Sequence, residues 1–387
     1  MQCTIQNNNF HPCTLYPKYD IHDIPDFNKL YVCGTGLCNQ IFCLINAIIK
    51  CLNQRKKFLV VDSFNCCLYD GNICEISKIL DIEQTYKELG IQIVDRNNIN
   101  LEIINVKYGL YEKCIDVTTI INDNFINGKI NIAEGTCTNI LFGTDPLFGI
   151  NKKIYMTYKI NNIKYQEEID ETKFSLNFDV DYITKDLFKH ITFYMSWYNS
   201  HNEDLFVSIF KKLVFRKEII NIVNQIGEDL NLNINNVLMA HIRIEDDFVK
   251  FACGGNDADK ELFKQSLYKK YNNILNKYVA INDDKKIYLL TYAIDDALKN
   301  IDEKYVNRII YTSIEKKREL LIKHIHLSGR ELIALLDLLI AIKFGNEFIG
   351  NFNFDINSGS TFSYLIYACL NGRKIMINDN ENANVYE

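Results

Sequence analysis

A histidine, an arginine and then acidic residues follow one another in residues 241–247, which read His-Ile-Arg-Ile-Glu-Asp-Asp. The apolar run at 236–240 leads directly into this motif and predicts a buried strand that ends there. In open α/β sheets, ligands bind just outside the carboxyl ends of the strands. Arg243 in that position suits a phosphate, because its planar guanidinium donates two parallel hydrogen bonds and keeps its charge. The alternative is a strand that simply ends in solvated charges.

Asp337 lies inside a second apolar run, residues 332–342. A carboxylate in such surroundings is costly unless it has a partner. Guanine offers adjacent N1–H and N2–H donors that match one carboxylate, whereas uracil offers no such pair. The sequence therefore predicts a contact between Asp337 and a base, or else a bond from Asp337 to water or to a neighbouring lysine.

A turn rich in hydroxyl groups, Ser358-Gly-Ser-Thr-Phe-Ser363, lies between a predicted strand and a predicted helix. The unpaired N–H groups and the dipole at the start of a helix favour an anion, and the hydroxyl groups add donors. Ordinary capping of the helix by serine or threonine is the alternative. Capping and anion binding are compatible, so the turn remains a candidate phosphate site.

Apolar runs separated by turn residues predict the elements that position these side chains. In the second half, strands alternate with helices, which is typical of a parallel sheet with helices on both faces. The predicted strands are 236–244, 286–292, 308–312, 347–350 and 374–377, and the predicted helices are 259–279, 294–302, 329–344 and 360–370.

The first half is less regular. Residues 153–168 alternate polar and apolar side chains and turn at Asn161 and Asn162, which predicts a β-hairpin in an insertion at about 128–170. The polar stretch 227–235 is the predicted hinge to the second half. The other predicted elements are a strand at 30–33, a glycine turn at 34–40, a helix at 41–52, a strand at 58–62, and helices near 182–198 and 203–228.

The composition excludes several classes of protein. A net charge of −6, with a pI near 5.7 and no basic stripe, argues against a general nucleic-acid binder. The 13 cysteines include no Cys-x-x-Cys pair, so a zinc site is not expected. The first residues contain neither a basic start nor an apolar segment, and the longest apolar run is too short for a bilayer. We therefore expect a soluble, cytoplasmic protein with reduced cysteines and no membrane span.

Together these motifs resemble the GT-B glycosyltransferases that use GDP-fucose, the protein O-fucosyltransferase and core fucosyltransferase group. That family has a His-x-Arg-x-x-Asp-like strand end, an Asp on a later helix, a Phe-Ile-Gly-Asn-like strand and a Ser-Ser/Thr-Phe-Ser-like turn. A Gly-x-x-Asn-Gln turn opens its first domain. The matching positions are His241, Arg243, Asp246 or Asp247, Asp337, Phe348 to Asn351, Ser360 to Ser363, Gly36, Asn39 and Gln40.

The resemblance implies an α/β fold of GT-B type, in which two Rossmann-like domains face a central cleft and the first carries the β-hairpin insertion. Residues 1–230 would form the acceptor-side domain, and residues 231–387 would bind the nucleotide sugar. The implied reaction is an inverting, metal-independent transfer of L-fucose from GDP-fucose to a hydroxyl of a glycan or protein acceptor. GDP-fucose is then a co-substrate, and no further cofactor or metal is expected.

The resemblance also implies roles for single residues. Arg243 would bind the β-phosphate, and His241 and Asp337 the guanine. Asn39 would orient the acceptor or the fucose, or else only stabilise its own turn. The remaining donor-side residues are Gly36, Ser360, Thr361, Phe362 and Ser363, of which the last four would contact the phosphates and the ribose. The acceptor hydroxyl needs a base, for which the candidates are Asp246, Asp247 and Asp257.

Three other interpretations remain. Asp179-Val-Asp181 matches the metal-binding Asp-x-Asp of GT-A glycosyltransferases. Gly34-x-Gly36 is found in dinucleotide folds, but Asn39 stands at the third glycine position and the turn lacks the lysine of a P-loop. The chain could also use another nucleotide-activated deoxysugar, or bind a nucleotide sugar without turning it over. The resemblance itself is incomplete, since Cys38 replaces a common glycine, the segment between Asn351 and Ser360 is longer than usual, and residues 100–200 are not part of it.

Overall fold

The computed structural model describes residues 36–53, 58–61, 64–67, 72–95, 98–110, 112–126, 129–132, 137–173, 176–177, 203–245, 248–249, 257–279, 284–351, 360–377 and 384–386. Over these residues the chain is a mixed α/β protein with one six-stranded sheet and four smaller sheets. None of the described helices is both long and apolar enough to cross a lipid bilayer.

The strands and helices follow one another along both halves of the chain. The strands are β1 (Phe58–Val61), β2 (Phe64–Cys67), β3 (Asn72–Cys74), β4 (Gln92–Asp95), β5 (Leu101–Leu110), β6 (Lys113–Asp116), β7 (Phe125–Ile126), β8 (Lys129–Ile132), β9 (Lys153–Ile160), β10 (Ile163–Asp170), β11 (Leu176–Asn177), β12 (Val237–His241), β13 (Lys286–Leu290), β14 (Ile309–Ile310), β15 (Glu347–Gly350), β16 (Lys374–Met376) and β17 (Asn384–Tyr386). The α-helices are α1 (Leu37–Asn53), α2 (Ile82–Leu89), α3 (Thr118–Asp123), α4 (Thr138–Leu141), α5 (Glu203–Lys212), α6 (Lys217–Asp229), α7 (Asp257–Tyr278), α8 (Ile294–Asn300), α9 (Glu303–Val306), α10 (Ile314–Ile325), α11 (Arg330–Phe344) and α12 (Thr361–Cys369).

The six-stranded sheet has the order β14-β13-β12-β15-β16-β17. The first five strands run parallel, and only β17 is antiparallel to its neighbour β16. All residues of β12 are buried, as expected for a central strand that is covered on both faces. The parallel sheet that the second half predicts is therefore present, with one additional antiparallel strand at its edge.

Two hydrophobic cores cover the two faces of this sheet. Successive side chains of a strand point to opposite faces, so Val237 and Met239 pack into one core and Leu238 and Ala240 into the other. Helices α10, α11 and α12 contribute to the first core, and helices α7 and α8 to the second. The polar end of β12 is thereby fixed between two apolar layers.

Helix α1, from the first half of the chain, belongs to the first core and packs against α5, α11 and α12. The ring of Phe42 lies 4.7 Å from that of Phe206 and 6.3 Å from that of Tyr364. One core thus contains residues from both sides of residue 230. The division into domains 1–230 and 231–387, and their arrangement as two Rossmann-like halves, stay predictions.

An antiparallel sheet of order β10-β9-β5-β6 occupies the middle of the chain and has its own core. Strands β9 and β10 form the predicted hairpin, and Asn161 turns between them with a φ of 54°. Asparagine tolerates this left-handed backbone better than most residues. That the hairpin is an insertion into an α/β domain stays a prediction.

Two predicted elements of the first half have the wrong limits. Helix α1 begins at Leu37, so the predicted turn at 34–40 is helical in its last four residues. The predicted helix at 203–228 is broken into α5 and α6, because Phe215 forms an isolated β-bridge with Leu80 and draws the backbone out of the helix. The predicted strand at 30–33 and the predicted helix at 182–198 lie outside the described residues.

Helix α10 has no counterpart among the predicted elements. It begins after Ser313, whose hydroxyl accepts a hydrogen bond of 3.2 Å from the N–H of Lys316. It ends at His326, which adopts a left-handed φ of 57°. This helix carries the buried Lys317, which pairs with Asp337 of α11.

Candidate functional site

A cleft that opens to solvent lies at the carboxyl ends of β12 and β13. The first turns of three helices, α1, α11 and α12, line it together with these strand ends. Helix N-termini carry unpaired N–H groups and a partial positive charge, so their convergence favours an anionic ligand. The lining residues are Gly36, Leu37, Cys38, His241, Arg243, Glu245, Leu290, Thr291, Tyr292, Arg330, Glu331, Ile333, Ala334, Asp337, Ser360, Thr361 and Phe362.

His241 is the last residue of β12 and is only 6% exposed. Its Nδ1 atom lies 2.6 Å from the hydroxyl oxygen of Ser363, and its ring packs 4.7 Å from that of Phe362. Burial lowers the pKa of the imidazole to about 3, with a smaller contribution from the charge of Arg243. His241 is therefore neutral near pH 7. One of its ring nitrogens donates a hydrogen bond and the other accepts one.

The free energy of unfolding should fall as the pH is lowered from about 6.5 towards 3. In that window the imidazole binds a proton in the unfolded chain but not in the folded chain, because burial lowers its folded pKa. The contribution of His241 is at most about 1.4 kcal/mol per pH unit. Urea unfolding of His241→Gln at several pH values should show a slope that is shallower by this amount. The exposed His326→Gln is the control, and equal slopes in all three proteins would contradict the burial of His241.

Arg243 follows two residues after His241 and lines the same cleft. Its backbone N–H donates a 3.0 Å hydrogen bond to the hydroxyl of Tyr271, and its guanidinium lies 4.7 Å from the ring centre of Phe248. No carboxylate from the described part of the chain forms an ion pair with this guanidinium. The cleft therefore contains a fixed positive charge that the described residues do not neutralise.

Ser360 caps helix α12, since its hydroxyl accepts a hydrogen bond of 3.3 Å from the N–H of Ser363. Thr361 and Phe362 form the first turn of the helix and line the cleft. Ser363 is fully buried, and its hydroxyl contacts His241. The predicted helix cap is present, and the first turn of the helix lines the cleft.

Asp337 is 5% exposed and lies on the side of α11 that lines the cleft. The ammonium of Lys317, on α10, lies 2.7 Å from Oδ1 and 2.8 Å from Oδ2 of this carboxylate. The hydroxyl of Tyr288 donates a further, longer hydrogen bond of 3.4 Å to Oδ1. A carboxylate has about four acceptor positions. One position, on Oδ2, therefore remains for a ligand, whereas a pair of N–H donors would need two.

Some residues of the predicted site lie outside the part of the chain that the structure describes: Asp246, Asp247, Asp179, Asp181 and Gly34. Two others, Asn39 and Asp257, are described by their backbone alone. Asn39 is placed by its backbone in the first turn of α1, and Asp257 is the first residue of α7. The structure therefore brings together, of the predicted site, the side chains of His241, Arg243, Asp337, Ser360, Thr361 and Phe362, with Gly36 at the start of α1.

Three charged residues of the cleft were not predicted from the sequence. Arg330 stands one residue before Glu331 at the start of α11, and seven residues before Asp337, which is two helical turns. This spacing places Arg330 and Asp337 on the same face of the helix. It could have indicated from the sequence that Arg330 belongs to the site of Asp337. The carboxylate of Glu331 accepts a hydrogen bond from the N–H of Leu37 and so caps α1. Arg330 adds a second guanidinium, which lies over the ring of Tyr292.

Glu245 is the third of these residues and lies inside the motif at 241–247. Its Oε1 atom accepts hydrogen bonds of 3.2 Å from the hydroxyl of Thr291 and 3.1 Å from the N–H of Tyr292. Its Oε2 atom receives no hydrogen bond from the residues that the structure describes. Among those residues, no three His, Cys, Asp or Glu side chains are arranged to hold a metal ion.

No family model matches the chain, and no curated protein matches it significantly. Among solved structures, the chain is similar to the alpha-1,6-fucosyltransferase NodZ co-crystallized with GDP, with 16% identity and a TM-score of 0.34 over 51% of this chain and 56% of that one. NodZ soaked with GDP-fucose matches with 16% identity and a TM-score of 0.33 over 48% and 53% of the two chains. Fucosyltransferase NodZ from Bradyrhizobium matches with 15% identity and a TM-score of 0.34 over 51% and 56%. The chain thus spans about half the length of the structures it matches, and a likeness this remote carries no argument about activity.

Proposed function

We propose that this chain is an inverting glycosyltransferase that transfers L-fucose from GDP-fucose to a hydroxyl group of a glycan or protein acceptor. One observation carries the proposal. A single cleft gathers the guanidinium of Arg243, the first turn of α12, and the buried acceptors His241 and Asp337. A diphosphate suits the first two, and a base with N–H donors suits the last two.

The departing nucleoside diphosphate must be stabilised as the glycosidic bond breaks. Arg243 supplies a charge that its described neighbours leave uncompensated, and the N–H groups at the start of α12 supply fixed dipoles. Donors that are already in place when the charge develops stabilise the transition state without reorganising. In this proposal the protein itself, rather than a bound metal ion, neutralises the leaving group.

The acceptor hydroxyl must lose a proton to a base on the opposite side of the anomeric carbon. Of the described carboxylates in the cleft, Glu331 caps α1 and Asp337 pairs with Lys317. Glu245 is held through one oxygen, while the described residues leave the other without a hydrogen bond. We therefore add Glu245 to the candidate bases Asp246, Asp247 and Asp257.

GDP should stabilise the protein against thermal unfolding, and UDP should do so much less. A ligand present at one hundred times its dissociation constant adds about 2.7 kcal/mol to the free energy of unfolding. The measurement is a thermal-shift panel of GDP, UDP, ADP and their sugar derivatives, followed by a transfer assay with any donor that binds. Equal shifts with GDP and UDP would remove the proposed base preference, and binding without turnover would favour a non-catalytic module.

Transfer should persist in excess EDTA, because Arg243 and the first turn of α12 neutralise the diphosphate in this proposal. The assay compares initial rates with and without the chelator. Loss of transfer in EDTA together with its recovery in manganese would overturn the metal-independent mechanism. In that case Asp179 and Asp181 would become the first residues to substitute.

A further inference from the structure

Lys317 does not line the cleft, but it is buried against Asp337, which does. Lys317 is 1% exposed, and its ammonium contacts both oxygens of Asp337 at 2.7 and 2.8 Å. Lys317 belongs to α10 and Asp337 to α11, so the ion pair joins two helices of the same core. Burying a lysine is costly unless its charge is paired, which makes this contact specific rather than incidental.

The other groups around Asp337 cannot replace this positive charge. Tyr288, on β13, donates to Oδ1, and burial raises the pKa of its hydroxyl, so it stays a neutral donor. The hydroxyl of Thr312 contacts Tyr288 at 3.2 Å and is also neutral. Burial raises the pKa of Asp337, and Lys317 opposes this effect. The charged or titratable groups on the cleft side are Cys38, His241, Arg243, Glu245, Tyr292, Arg330 and Glu331.

We infer that Lys317 is a positioning residue that keeps Asp337 ionised and holds its Oδ2 atom toward the cleft, so that Asp337 accepts one hydrogen bond from a neutral N–H or O–H group of the ligand. This inference rests on the proposed function and deepens it. Because Lys317 already balances the charge of Asp337, a cationic ligand group would bring a second positive charge beside a buried ammonium. A neutral donor edge, such as the N–H edge of guanine, fits without this penalty.

The removal of the ammonium should change how ligand binding depends on pH. In Lys317→Met, only the long hydrogen bond from Tyr288 still opposes the effect of burial on the pKa of Asp337. The carboxyl of Asp337 therefore takes up a proton at a higher pH than in the wild type. A protonated Asp337 presents a donor to the N–H of the base and binds it poorly. GDP affinity should therefore be lower than in the wild type at the acid end of the pH range and should recover as the pH rises, by up to about tenfold per pH unit of protonation.

The experiment is a calorimetric titration of GDP and UDP between pH 6 and 8.5 into four proteins: the wild type, Lys317→Met, Lys317→Arg, and the neutral pair Lys317→Met/Asp337→Leu. The wild type and Lys317→Arg should bind GDP with little dependence on pH. Lys317→Met should show the loss and recovery described above for GDP. The neutral pair should lose the preference for GDP at every pH, because leucine at 337 offers no acceptor and does not titrate.

The outcomes separate this inference from the proposed function. If the wild type binds GDP and Lys317→Met binds it with the same affinity and the same flat pH profile, Lys317 has only a structural role. If Lys317→Met does not fold, a neutral pair that keeps the wild-type preference for GDP overturns the inference equally well. If no nucleotide binds the folded wild type, the proposed function fails and this inference fails with it.

Discussion

Arg243→Ala should lower kcat for sugar transfer by about 100- to 1,000-fold, the usual cost of losing one preorganised donor to a developing negative charge. Arg243→Lys should restore little of the activity, because an ammonium lacks the planar fork that binds two phosphate oxygens. Steady-state kinetics with saturating donor would measure both. The prediction concerns kcat more than KM, because the charge on the diphosphate develops as the bond breaks.

Arg373→Ala is the matched control for this substitution. Its guanidinium also lies over an aromatic ring, that of Tyr278, but Arg373 does not line the cleft. The loss of a similar ring contact should leave kcat close to the wild-type value. Wild-type turnover in Arg243→Ala, or an equal loss in both variants, would show that the charge of Arg243 does not act on the leaving group.

Lys317→Met alone should lower the free energy of unfolding by about 3–5 kcal/mol, because it leaves a buried carboxyl group that must either stay charged without a partner or take up a proton. The double variant Lys317→Met/Asp337→Leu should return to about the wild-type stability or exceed it, since two apolar side chains can replace a buried ion pair. Urea unfolding at neutral pH would measure both values. A small effect of the single substitution would mean that water reaches the pair.

The exposed pair of Lys87 and Glu83 provides the comparison. These residues lie four apart on α2, with their charged atoms 3.3 Å from each other and side chains that are 55% and 72% exposed. Such pairs contribute about 0.3–0.5 kcal/mol, so Lys87→Met should change the stability very little. The contrast between the two lysines tests whether burial, rather than ion pairing as such, makes Lys317 important.

Much of the second half could be predicted from the sequence because its signals are local. Short apolar runs bounded by polar residues indicated the parallel strands, and the strand at 347–350 has the predicted limits. The break between α5 and α6 could not be predicted, because it depends on a bridge between Phe215 and Leu80, which are far apart in the chain. Helix α10 was missed because only a few of its residues are buried, although the cap at Ser313 was a usable signal.

The residues of the candidate site likewise divide into those that a local sequence pattern indicates and those that depend on how the helices pack. Arg243 and the turn after Ser360 were predicted because each follows a strand whose carboxyl end is a natural ligand site. The partner of Asp337 was left open between water and lysine, because the identity of Lys317 depends on how α10 packs against α11. The contact between Glu331 and Leu37 joins residues 294 positions apart, and no local pattern indicates it.

The central claim is that the cleft itself binds the nucleotide, and filling the cleft tests it most directly. Ala334 lines the cleft, so Ala334→Trp should occupy it, whereas Ile322→Trp adds the same side chain at a position on α10 that is 50% exposed. Calorimetric titration should show GDP binding one-to-one to the wild type and to Ile322→Trp, and no binding to folded Ala334→Trp. GDP binding to Ala334→Trp with wild-type affinity would contradict the account.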